Sequence, residues 1–244
     1  GAVEIAKLRL WLSMVVDEER IDSIDPLPNL EYKIVKGNSL INIPDGIAIN
    51  DALAKEIEKL TAAYFNITDK EKKQEQKQII DSKITEQLQF VSEMAGYKID
   101  FDFKLYFHEV FHEKGGFDVV IGNPPYVQLQ KDGGKLAKEL QTQHFQTFER
   151  TGDIYALFYE KGIQLLKQNG HLCFITSNKW MRAGYGKKLR HFFASYNPLL
   201  LIDLGPGIFE SATVDTNILL IQKSKPSPAL NLVPETTAGT FCLK

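Results

Sequence analysis

The chain has 244 residues, 43% hydrophobic and 25% charged, ordinary for a soluble globular protein and enough for one good core. No apolar run approaches the roughly 20 residues of a membrane span, no charged-then-apolar leader is present, and Cys173 and Cys242 are too few for a disulfide scaffold, so a reducing cytoplasm fits. Net charge is −2 and the pI is near 6.3, which leaves no whole-chain footprint for nucleic acid and makes any DNA affinity a local matter.

Ala2 to Val16 reads as a helix whose apolar residues circle nearly the whole axis, with Glu4, Lys7, Arg9 and Ser13 scattered among them. Such a helix should be buried on several sides. Pro26 and Pro28 punctuate a loop, and Tyr32 to Val35 reads as a short strand running into Gly37-Asn38-Ser39-Leu40. Between about Asn50 and Tyr97 the text turns polar and helical. Leu53, Ile57, Leu60 and Tyr64 form one stripe, and Ile80, Ile84, Leu88 and Val91 another, which predicts a helical hairpin. Thr68 and Glu71 supply a capping-box pattern between the two. The Lys/Glu/Gln run is most simply a solvated helix face.

Phe117-Asp118-Val119-Val120-Ile121-Gly122 then reads as a buried strand that stops abruptly at Asn123-Pro124-Pro125-Tyr126. Each proline fixes its own φ and lacks an N–H, and the residue before a proline is pushed out of helical geometry. The loop therefore presents rigid acceptors followed by an aromatic ring, at a strand end where open α/β sheets place their ligands. Acceptors beside a stacking face suit a planar amino group on a π-system, such as the edge of a nucleobase.

Lys131 to Arg150 is polar, with Gly133-Gly134, and reads as a mobile stretch near that loop. Asp153 begins a helix through about Lys167, with Tyr155, Tyr159, Ile163 and Leu166 on one side and Asn169-Gly170 as its stop. Strands follow at His171 to Thr176, Leu199 to Leu204 and Thr216 to Gln222. Helix–strand alternation of this kind predicts an α/β sheet with parallel strands. In the segment Asn178 to Phe193, cations interleave with aromatics. Lys179, Arg182, Lys187, Lys188 and Arg190 suit phosphate contacts, and an amphipathic helix turning the same residues to water accounts for the pattern equally well. The tail from Lys223, with Pro226, Pro228 and Pro234, reads as a linker.

Gly122-Asn123-Pro124-Pro125-Tyr126 after a hydrophobic strand resembles the catalytic loop of S-adenosylmethionine-dependent amino-methyltransferases. From Ala2 to about Lys225 the text is similar to the adenine-N6 DNA methyltransferases, above all the methylase portion of single-chain type IIG restriction–modification enzymes. Their order (the gamma type) is cofactor motifs first, this loop next and a target-recognition domain last. The resemblance implies an incomplete Rossmann-like class I methyltransferase sheet with a helical-hairpin insertion. Residues 1–44 would be part of the cofactor half, 45–113 the insertion, 114–224 the catalytic half, and 225–244 a linker towards a target-recognition domain. Ala2 to Leu12 is similar to the helix after the acidic strand that holds the cofactor's ribose, which implies a glycine-rich cofactor loop upstream. Asn38, with Ser39 beside it, occupies the place where related enzymes contact the cofactor's adenine; a simple strand-end turn explains Gly-Asn as well.

The chemistry so implied is methyl transfer to an adenine amine. The Asn123 side-chain oxygen and the Pro124 carbonyl would each accept one N–H, favouring a pyramidal nitrogen with a localised lone pair. Pro125 stiffens the corner. Neither a metal nor a covalent enzyme intermediate is required. Adenine in duplex DNA must flip out to reach the loop, and Tyr126 would stack on it, at roughly 1–3 kcal/mol. A second stacking residue has no assignment, since Thr216 to Gln222 offers only aliphatic and polar side chains, with Phe209 upstream. The partner is double-stranded DNA. The fragment alone should bind little cofactor, be inactive, and self-associate through uncovered strand edges.

Three other functions fit parts of the text. Amino-methyltransferases acting on protein glutamine or RNA guanine use similar loops, and a non-catalytic nucleic-acid-binding module needs none of the chemistry. His108-Glu109-Val110-Phe111-His112 matches the zinc-peptidase pattern, extended by Gly115 and Asp118. Asp118, however, begins the strand into the Pro-Pro loop, and Gly115-Gly116 more simply ends a short helix, so no metal is assigned.

Overall fold

The computed structural model describes residues 1–16, 30–208, 214–226, 232–235 and 240–243. The chain divides into two units, Gly1–His108 and Glu109–Lys244. Pro26, Pro28, Phe209 and Pro228 lie outside the described residues.

In the first unit, α1 (Ala2–Val15) forms where expected, but it is not buried on several sides. Ile5 is 56% exposed and Leu8 50%, whereas Lys7 is 6% exposed. The helix is held by charge: Lys7 Nζ lies 3.1 Å from Glu4 and 2.8 Å from Glu31. Tyr32 to Val35 is a turn, which corrects the strand expected there. Tyr32 adopts a left-handed φ of 60°, incompatible with an extended run, and its hydroxyl donates to Asp81 at 2.8 Å.

The helical hairpin is present as α2 (Asp51–Phe65) and α3 (Lys70–Ala95). Ile57 and Tyr64 of the first stripe and all four residues of the second are buried, because i, i+3, i+4 spacing turns them to one side. Asn50 caps α2 by accepting from Leu53 N–H. Asp69, rather than Thr68, caps α3, accepting from Lys72 N–H at 2.9 Å. Gly96 ends α3 with a left-handed φ of 74°. Two short helices follow, α4 (Phe103–Tyr106) and α5 (His108–Lys114), and Gly115-Gly116, both at positive φ, close the second.

The second unit is the expected α/β architecture. Its sheet contains β1 (Phe117–Gly122), β2 (Leu166–Ser177), β3 (Asn197–Gly205), β4 (Thr216–Gln222), β5 (Leu232–Glu235) and β6 (Thr240–Leu243). The spatial order is β1-β2-β4-β3-β6-β5. β1 and β2 are parallel, while β4 lies between β2 and β3 and is antiparallel to both, so β1, β2 and β3 point the same way. The sheet is thus mixed rather than parallel throughout. Ten residues separate Gly205 from Thr216, fewer than the crossover of about a dozen that parallel pairing needs. β5 and β6 extend the sheet from β3, within the segment read as a linker.

After α5, which enters this unit at Glu109, the described residues add α6 (Lys135–Gln141), α7 (Tyr155–Leu165) and α8 (Lys187–Phe193). α6 buries Ala137 and Leu140, so the polar stretch expected to be mobile is built onto the core. α7 stops two residues earlier than its pattern suggests. β2 begins at Leu166 and runs through Asn169-Gly170, where Asn169 takes a φ of 64°. Tyr155, Tyr159, Ile163, Leu172, Phe174, Leu189, Phe193, Leu219 and Ile221 make one buried cluster that joins α7 and α8 to the sheet. β1 is only half-covered: it forms the sheet edge, and Val119 and Ile121 are 58% and 79% exposed.

Gly162 sets the depth at which α7 seats. A Cβ there would lie 2.4 Å from Leu172 Cδ1 and 3.3 Å from Phe174 Cζ. Gly162→Ala is therefore expected to lower the unfolding free energy by about 1–3 kcal/mol in a urea titration, despite alanine's better helix propensity.

Candidate catalytic loop

β1 delivers the loop. Its last residue, Gly122, stands level with Phe174 of β2, and the chain then turns through Asn123-Pro124-Pro125-Tyr126. Asn123 and Pro125 are exposed, Pro124 is buried and Tyr126 half-buried. The proline pair keeps this corner out of helix and ladder alike. Tyr126 folds back over it. Its hydroxyl donates to Asn123 Oδ1 at 3.0 Å and lies 3.5 Å from the Ile175 carbonyl, while its ring meets Tyr155 edge to face at 6.3 Å.

The exit from the loop is clamped to the start of α7. Val127 N–H donates to Asp153 Oδ1 at 2.8 Å, Ile154 N–H to the Val127 carbonyl at 2.9 Å, and Leu129 N–H to the Gly152 carbonyl at 3.0 Å. Gln128 and Asp153 form an isolated antiparallel bridge. Burial pushes the Asp153 carboxyl above its ordinary pKa, opposed by N–H donors from Val127, Tyr155 and Ile154 and by the charge of Lys179. Burial, with a contribution from Asp153, also raises the Tyr126 phenol, so it stays protonated near neutrality and serves as a donor. An amide oxygen has two lone pairs, and Tyr126 occupies one of those on Asn123. What this arrangement can do is orient one side-chain acceptor on a rigid corner beside an aromatic ring.

A buried polar cluster backs the site. Tyr159 and Thr176 hydroxyls lie 2.9 Å apart, and Asn217 Oδ1 accepts from Trp180 Nε1 at 3.1 Å and Thr176 Oγ1 at 3.3 Å. Helical spacing places Tyr155 and Tyr159 on one side of α7, but these hydrogen bonds and Asp153's tether escape sequence reasoning, because each runs to a partner 17 or more positions away. The one available signal is the aspartate opening α7, legible as a helix start but not as a clamp.

The five cations divide. Lys179, Arg182 and Lys187 are exposed. Lys188 donates to the Phe148 carbonyl at 2.6 Å and pairs with Glu149 at 3.4 Å. Arg190 turns inward, its guanidinium donating to the Trp180 and Ala183 carbonyls, so its charge braces the fold and is not presented to a phosphate. The segment is also not one amphipathic helix: 3₁₀ turns at Asn178–Met181 and Gly184–Gly186 precede α8.

In the first unit, Asn38 behaves as a turn residue. Its Oδ1 accepts from Leu40 N–H at 3.1 Å, and its own N–H donates to Asp100 at 3.3 Å. Gly37 and Ser39 nevertheless border an open cavity of about 320 Å³ walled by Phe101, Phe103 and Phe107, with Lys33 at its margin. Only glycine fits at 37, where a Cβ would run into Phe101. His108 sits between Glu58, 2.6 Å from Nδ1, and Asp51, 3.2 Å from Nε2. Among the described residues no group of three or more His, Cys, Asp and Glu could hold a metal ion, and no helix is long and apolar enough to cross a membrane.

Residues 1–209 match the family model described as Eco57I restriction-modification methylase. The type II restriction enzyme and methyltransferase RM.Eco57I of Escherichia coli is 34% identical over 44% of the chain and 11% of its own length. The type II methyltransferase M.BstVI of Geobacillus stearothermophilus is 35% identical over 36% of the chain and 16% of its own length. M.PaeR7I of Pseudomonas aeruginosa is 38% identical over 33% and 14%. The chain thus aligns with well under a quarter of each of these relatives.

Removing the clamp should loosen the loop and cost stability together. Asp153→Ala is expected to lower the unfolding free energy by roughly 1–3 kcal/mol, through an unsatisfied Val127 N–H. Amide exchange at Val127 should accelerate more than exchange in the middle of β4.

Proposed function

The chain belongs to the Eco57I restriction-modification methylase family, and from that premise we propose that it forms the catalytic part of an adenine-N6 DNA methyltransferase. The observation that carries this reading is the Asn123–Tyr126 corner, an oriented amide oxygen on a proline-stiffened strand end. An adenine amine is a weak nucleophile because its lone pair is delocalised into the ring. Asn123 Oδ1 and the Pro124 carbonyl would each accept a hydrogen bond from one of its two N–H groups, which favours a pyramidal nitrogen and aims the recovered lone pair. Pro125 holds the corner, and Tyr126 offers its ring as a stacking face for an adenine swung out of the duplex. Asp153 fixes the loop exit so that both acceptors keep their relation to β1.

The transferred methyl would be supplied by S-adenosylmethionine, whose sulfonium-bound methyl carbon is electrophilic: the C–S bonding pair would leave with the thioether as the N–C bond forms, and the methylated amine would release one proton to solvent. The cavity beside Gly37 and Ser39 fits that assignment, since three phenylalanine side chains wall it and suit a flat purine. Asn38, whose side-chain oxygen accepts from Leu40 N–H, is not among the residues lining that cavity, so Ser39 beside it is the better-placed contact. Lys179, Arg182 and Lys187 would meet phosphates of double-stranded DNA and position it without reading sequence. The exposed β1 edge supports self-association of the isolated chain, by continuation of the sheet.

Two outcomes check this. In the full-length protein, Asn123→Ala should reduce methyl incorporation into duplex DNA by about 10²–10³-fold, with S-adenosylmethionine binding by calorimetry changed little. Loss of both together would instead mark Asn123 as a structural residue. For the 244-residue chain, sedimentation at rising concentration should show association that Ile121→Lys weakens.

A further inference from the structure

Tyr155 is completely buried, yet it carries a hydroxyl where phenylalanine would pack. That hydroxyl lies 3.2 Å from the hydroxyl of Tyr185. Burial raises both phenols above their ordinary pKa, so both stay protonated and the contact is a neutral hydrogen bond. Tyr155 meets Tyr126 edge to face, and the Tyr126 hydroxyl holds Asn123 Oδ1. Four side chains therefore form one continuous chain of contacts from residue 185 to residue 123.

Tyr185 sits on the segment that carries the exposed cations. It lies in the 3₁₀ turn Gly184–Gly186, three positions after Arg182. The segment is stiff. A Cβ on Gly186 would lie 2.0 Å from the Trp180 carbonyl, so the backbone closes tightly on itself there. Arg190 braces the same turn through the Trp180 and Ala183 carbonyls. Lys179, at its start, is near enough to Asp153 for its charge to act on that carboxyl.

We propose that Tyr185 is a positioning residue for the catalytic loop, linking the cation-bearing segment Asn178–Gly186 through Tyr155 to the Tyr126–Asn123 pair. The linkage holds the Asn123 acceptor in its pre-set orientation relative to the segment that would engage a phosphate backbone. This rests on the methyltransferase reading for its purpose, but the linkage itself is a property of the chain.

Tyr185→Phe and Tyr155→Phe break the same hydrogen bond from opposite sides, so whichever variant folds carries the test. In the ¹⁵N-labelled chain, each should shift the Asn123 side-chain amide resonance, and the double variant should shift it no further. Tyr97→Phe, which removes a hydroxyl bonded to the Asn42 carbonyl in the first unit, should leave it in place. In the full-length protein with duplex DNA and S-adenosylmethionine, Tyr185→Phe should lower kcat by about ten- to a hundredfold with KM for DNA little changed. An unmoved Asn123 resonance, or an unchanged kcat in an active enzyme, overturns the proposal. A shifted resonance in a protein that methylates no DNA supports the linkage and overturns the functional reading instead.

Discussion

The bond from Val127 N–H to Asp153 Oδ1 is the contact on which the candidate catalytic loop depends. A proline pair makes a corner stiff, but stiffness alone does not aim it, since the corner could still pivot where it leaves β1. Asp153 removes that freedom by tying the far side of the loop to the first turn of α7, which is seated on the sheet through Gly162. Asp153 serves both sides at once: its carboxylate accepts from Val127 N–H on the loop, its backbone carbonyl accepts from Ala156 N–H in the first turn of α7, and burial raises the cost of leaving the loop donor out. Loop, helix and sheet are therefore one mechanical body, in which a fault in packing becomes a fault in aim.

Much of this was legible in the sequence, for reasons that can be named. α2 and α3 announce themselves because two apolar stripes recur at helical spacing over long, polar stretches with few competing signals. β1 and β4 match their expected spans, Phe117–Gly122 and Thr216–Gln222, because β-branched runs bounded by breakers have few alternatives. The Asn123-Pro124-Pro125-Tyr126 corner is local chemistry and needs no tertiary information to be noticed.

What stayed hidden is set by distant partners. Tyr32 takes a left-handed backbone because its hydroxyl reaches Asp81 on α3, which no local pattern encodes. The direction of β4 follows from the length of a connection rather than from the strand's own residues. Arg190 reads as a surface cation, yet two backbone carbonyls claim it. α1 looks buried by composition, while its anchor is the ammonium of Lys7 between Glu4 and Glu31. In each case an interaction across the fold outweighs the periodicity that a sequence displays.

The hydroxyl of Tyr126 has one more consequence. An exposed asparagine ordinarily samples several rotamers, and a ligand that needs one of them must freeze the rest, losing affinity or rate to that entropy. Here the phenol has already chosen, so the amide's dipole faces a fixed direction before anything arrives. A tyrosine in this place thus does something that phenylalanine could not, however well phenylalanine stacks: it settles the entropic cost of a neighbour's conformation during folding rather than when a ligand arrives.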